Sequence, residues 1–135
     1  MATAQIDAAR LAKVLARPLY SGAHDPNGEM CLLEAAAYIA REPWSDQPAC
    51  VANSITTFGQ KWNDAMNDVD RQMLKAVLPL MIGTNTTPED EQTRAWLCTD
   101  WQVRAFTPAW LDLAGLTAEA QQLRDLPALT SAALA

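Results

Sequence analysis

The chain has 135 residues, half of them hydrophobic and 19% charged, with 16 acids against 10 bases for a formal net charge of −6. That mix is a globular one and excludes a wholly disordered chain, and the lack of clustered Lys and Arg excludes general affinity for phosphate backbones, so direct nucleic-acid binding is not expected. Three cysteines are an odd number and do not make a closed disulfide framework, and no apolar run approaches the 18 residues of a membrane span.

Asp7, Arg10 and Lys13 interrupt the apolar residues of the N-terminus, which does not read as an export signal. A cytoplasmic location with reduced thiols is the expectation. One domain is expected over 1–130, with a frayed Ala-rich tail over 131–135.

Residues 4–16 place Ile6, Leu11, Val14 and Leu15 on one helical stripe, which Arg17-Pro18 closes. A turn-rich loop with Gly22, Pro26, Asn27 and Gly28 follows. Met30–Arg41 is almost wholly apolar around a single carboxylate, Glu34, and predicts a central helix. Glu42-Pro43 ends it. Asp46 or Gln47 is expected to cap the next helix, with Pro48 in its first turn and an apolar face of Val51, Ile55, Phe58 and Trp62. Gly59 inside that helix implies close packing there.

A further helix is expected from about Val69 to Ile82, kinked by Pro79 and stopped by Gly83. Thr87-Pro88-Glu89-Asp90 is a strong start signal for a helix to about Phe106, carrying Trp96, Leu97 and Trp101. Thr107-Pro108 repeats the device and opens a short helix stopped by Gly115, and Thr117 begins the last, to Arg124. No segment alternates in the manner of a strand. The fold class expected is all-α, six or seven helices, several short.

The signatures of nucleotide loops, zinc proteases, nucleophile elbows and CxxC sites are absent, and a single His leaves one imidazole for any triad. One constellation stands out: His24, Cys31, Glu34 and Cys50, grouped around the central helix. Imidazole, thiolate and carboxylate are all zinc ligands, although the spacing matches no established zinc motif. The plainer reading makes the cysteines buried apolar residues and pairs Glu34 with an Arg. A second group is Arg94, Asp100 and Arg104 among Trp96, Trp101 and Trp110, with Asp100 and Arg104 an acid-first i,i+4 pair that suits a structural ion pair or a pocket for an anionic or planar ligand. Trp44, beside Asp46 in the EPWSDQP connection, is either a plug on the core or an exposed anchor for a partner.

GAHDPNGEMCLLEAAAYIAREPWSDQPAC, KWNDAM, LKAVLPLMIGT and RAWLCTDWQVRAFTPAWLDLAGL together resemble a family of uncharacterised small proteins from bacterial, chiefly actinobacterial, genomes and their phages. The resemblance covers about residues 20–127. It implies that His24, Met30-Cys31, Glu34, Trp44-Ser45-Asp46, Asp100-Trp101 and Arg104 form one recurring set, and it implies no activity. Arg41 and Gln47 depart from the pattern, where a Gly and a His are associated with those neighbourhoods.

The function expected is that of a small acidic interaction protein of phage or mobile-element type. It would bind another macromolecule, and in its specific form would inhibit a host nucleic-acid-handling or defence system. The lack of a catalytic signature, the acidic balance and the small size are its motive, and the acids at Asp64, Asp68 and Asp70 and at Glu89, Asp90 and Glu91 would form one acidic stripe in its specific form. The alternatives are a metal- or small-ligand-binding protein, enzyme included, using either constellation, and a structural subunit that forms a homo-oligomer.

Overall fold

The computed structural model describes residues 5–131, and among these every regular element is helical. The chain is all-α. Six continuous helical runs succeed one another. The first three are α1 (Ala8–Leu15), α2 (Leu32–Ile39) and α3 (Asn53–Ala65). The fourth joins α4 (Asp68–Arg71), a 3-10 segment (Gln72–Val77) and α5 (Leu78–Met81). The fifth joins α6 (Pro88–Trp101), a π-helical segment (Gln102–Phe106) and α7 (Thr107–Leu113), and α8 (Thr117–Arg124) is the last. Where one domain over 1–130 was expected, the contacts fall into two compact units, Met1–Thr86 and Thr87–Ala135. Of the tail expected to fray, only Ser131 is among the described residues.

The first unit is built on α2. Leu32, Leu33, Ala35, Ala36, Ala37 and Ile39 are all buried, as a helix apolar on every side requires. It is shorter than Met30–Arg41 at both ends. Cys31 is extended and caps it, and at the other end Arg41 takes a left-handed φ of 60°. Glu42 N–H then reaches the Ala37 carbonyl at 3.0 Å, a helix stop that normally uses glycine. Arg41 is held there by Asp7, whose carboxylate takes its Nε and Nη2 at 2.7 and 2.6 Å. The same carboxylate caps α1 through the N–H groups of Ala9 and Arg10.

Two expectations fail in α3. It starts at Asn53, beyond the cap expected at Asp46 or Gln47, because the residues before it are satisfied by another loop. The Cys50 carbonyl accepts Gly83 and Asn85 N–H at 2.9 and 3.3 Å, and Ala52 N–H donates to Thr84 Oγ1. Of the expected face Val51 is buried and Ile55 packs on the core, but the buried residues of α3 itself are Thr56, Gly59 and Asn63, and Phe58 and Trp62 lie outside with tilted rings, centroids 5.3 Å apart. Close approach is the reason. A Cβ on Gly59 would stand 3.3 Å from Leu33 Cδ2 and 3.4 Å from Met81 Cε, so no room exists for an aromatic ring on that face.

The helix expected over 69–82 is one run but not one α-helix. Pro79 supplies no N–H to the turn before it, and the backbone ahead of α5 tightens to 3-10 geometry. Leu74, Leu78 and Met81 are buried and Met73 is exposed, so the apolar face is narrower than expected. Buried Arg71 ties the end of α3 to α4 through the carbonyls of Asn63 and Met66.

In the second unit Thr87 caps α6 as expected, its Oγ1 accepting Asp90 N–H. The stop expected before Thr107-Pro108 does not occur. Pro108 cannot donate to the Arg104 carbonyl, and the helix absorbs this by widening into a π turn. Both the N–H and the hydroxyl of Thr107 reach the carbonyl of Gln102, five residues back. Gly115, at φ 78°, ends α7 and lets α8 return over it. Pro108, Ala120 and Leu129 are the buried residues of this unit among those described.

Candidate functional site

In the first unit the polar residues around Glu34 form one network. Glu34 is at the third position of α2, 1% exposed, where its side chain turns back to accept Cys31 N–H at 2.8 Å. The same carboxylate accepts His24 N–H at 2.6 Å and faces His24 Nδ1 at 3.0 Å. A carboxylate accepts, so Nδ1 carries the proton of that bond and Nε2 turns towards Glu29, 3.5 Å away. The arginine expected beside Glu34 is thus replaced by an imidazole and two backbone donors.

Trp44 belongs to the same network. Its indole N–H donates to the His24 carbonyl at 2.8 Å, and its ring packs on the core, which is the plug rather than the exposed anchor. Two residues missed in the sequence, Gln72 and Asn63, and Asp64, read there only as part of an acidic cluster, complete the fastening of this loop. Gln72 brackets Leu19 through both its N–H and its carbonyl, Asn63 Nδ2 donates to the Tyr20 carbonyl, and Asp64 accepts Gly22 N–H. That last bond, above all, holds the Asp64 carboxyl below its ordinary value. Asn63 and Asp64 lie on the face of α3 that the apolar periodicity did not select.

Of the four residues proposed as zinc ligands, His24, Cys31 and Glu34 do meet, but as a hydrogen-bond network. Both Glu34 oxygens are engaged by N–H donors, and burial pushes the Cys31 thiol up to about 12. Cys50 lies elsewhere in the same core, its thiol pushed up to about 11 by burial first and then by Glu42. Among the described residues no three His, Cys, Asp or Glu side chains are grouped to hold a metal ion. Asp46 bonds Gln60 through its carbonyl at 2.9 Å and edges a polar cleft of about 360 Å³ shared with Cys31, Lys61 and Asp64.

Asp100 and Arg104, in the second unit, form the i,i+4 pair that the sequence predicts, 3.1 Å between Oδ1 and Nη1. Asp100 also accepts Leu129 N–H at 2.8 Å, which fastens the C-terminal segment to α6 and is the first cause of its lowered pKa, ahead of Arg104. The pair is therefore a clasp.

Trp101 has a different role. With Leu97, Phe106, Trp110 and Leu113 it forms a continuous exposed row along α6, the π segment and α7. Leu97 is 64%, Trp101 57%, Trp110 60% and Leu113 80% exposed. Ring centroids are 5.2 Å apart from Trp101 to Phe106 and 6.1 Å from Phe106 to Trp110. The spacings of four, five, four and three residues share a face only because the widened turn falls between Trp101 and Phe106. The π turn re-phases the aromatics onto one line. Pro108 inside an otherwise helical pattern was the sequence signal for it, and it reads equally well as a helix start.

No family model, curated protein or solved structure compared with the chain matches it.

Proposed function

We propose that the protein acts by binding another protein, and that the row from Leu97 to Leu113 is its contact surface. The observation that carries this reading is the exposure of five large apolar side chains, two of them tryptophan, in one line about 24 Å long. Single exposed apolar residues are ordinary, whereas a contiguous row is the signature of an interface, and buried tryptophans dominate interface energies. None of the five is buried, and α6 itself has no buried residue. Inhibition of a nucleic-acid-handling or defence system is the specific form of the proposal, and the acid excess supports it. Among the described residues no helix is long and apolar enough to cross a membrane, so the row is not a spanning segment.

Site-specific photo-crosslinking in the producing cell tests this. A photoreactive amino acid in place of Leu97 or Leu113 should give a discrete covalent adduct with another protein, and the same probe at exposed Glu119 should not. Equal adduct patterns at all three positions would remove the row as the contact surface.

A further inference from the structure

We infer that the occupant of this row is an amphipathic helix with cationic flanks, supplied by a basic protein. The inference rests on the binding reading above and names the partner's chemistry. A continuous row with helical spacing offers ridges that another helix can straddle, and four to five turns of such a helix would cover its length.

Charge selects among helices. Residues 87–135 carry seven acids against three arginines. Each of the three is already in an ion pair: Arg94 with Glu91, Arg104 with Asp100, and Arg124 with Asp112. The field of this unit is therefore set by its surplus carboxylates.

Beside Leu97 the row opens into a groove of about 490 Å³, walled by Trp96, Leu97 and Leu129 with Glu89 at its edge. An apolar wall ending in a carboxylate fits the aliphatic stem and charged head of Lys or Arg. A second copy of the chain would set one acidic unit against another, which like-charge repulsion opposes. A basic helix gains both the apolar cover and the neutralisation.

The test uses the full-length protein and three synthetic 18-residue peptides lacking tryptophan, read by the protein's own tryptophan emission. One is an amphipathic Leu/Lys helix, one carries Glu in place of every Lys, and one is a scrambled Leu/Lys sequence. The Leu/Lys helix should bind and shift the emission, with affinity falling as salt rises. Trp101→Ala and Trp110→Ala should each weaken it about tenfold or more, with circular dichroism unchanged because both side chains are on the surface. Glu89→Lys should also weaken it, and it leaves every tryptophan in place.

Equal binding of the Glu peptide overturns the charge complementarity, and equal binding of the scrambled peptide overturns the helical occupant. Binding that survives both Trp substitutions places the peptide elsewhere. A stable dimer in sedimentation equilibrium that Trp110→Ala dissolves makes the occupant a second copy. Should no peptide bind while the photo-adduct forms, the basic helix is overturned and the binding reading stands; if the adduct is missing too, both fall.

Discussion

At Glu34, three donors converge on one carboxylate inside a helix with almost no other polar atom. Burying a charge is tolerable only when such partners replace water, and here two are backbone N–H groups that would themselves be orphaned without it. Glu34→Ala should therefore destabilise the protein by about 3 kcal/mol, combining unsatisfied donors with a cavity. Glu29→Ala, at the solvent-facing side of the same imidazole, should change stability by about 0.5 kcal/mol or less. Urea denaturation of the two variants measures both, and equal effects would mean that the network does not hold the loop. The oddity of Glu34 was legible in the sequence because one acid interrupts an apolar run. Its association with His24 was legible too, but as a metal-ligand set and not as a hydrogen-bonded pair, because His24 reaches it across a loop whose path is set by Asn63, Asp64 and Gln72.

Helix α3 shows how packing distance overrides periodicity. Its apolar pattern favours Phe58 and Trp62 as the inward face, yet Leu33 of α2 and Met81 of α5 lie so close to Gly59 that nothing larger than a methyl group fits between them. Gly59→Ala gains about 1 kcal/mol of helix propensity against a slight contact with side-chain ends that can shift, so its net effect should be small. Gly59→Leu has no such room and should destabilise by about 2 kcal/mol or more, seen as a lower denaturation midpoint. A tolerated leucine would show that the helices can separate. In the α6–α7 run the same lesson is inverted: Pro108, a helix breaker by its chemistry, is accommodated by one widened turn, and that turn aligns the exposed aromatics.

Across the molecule, three aspartates stand below their ordinary value for a shared reason. Backbone N–H groups donate to each: Arg10 to Asp7, Gly22 to Asp64 and Leu129 to Asp100. Donors favour the charged form, so each depressed folded pKa adds stability that is whole above the unfolded carboxylate value of 3.8. That stability is lost as pH falls through the lower folded values. The unfolding free energy should then drop between about pH 5 and about pH 2, and Asp64→Asn should make the drop shallower. Thermal melts across that range check it, and a flat profile would mean that these bonds do not distinguish folded from unfolded chain.

Local chemistry in the sequence determined the helical class, the central buried helix, the Thr87 cap and the glycine stops at Gly83 and Gly115, because each depends on residues a few positions apart. The close approach at Gly59, the hydrogen bonds of Glu34 and the outward turn of Phe58 and Trp62 were decided by tertiary structure. Each depends on which surfaces meet and how near they come, a distance that no periodicity encodes.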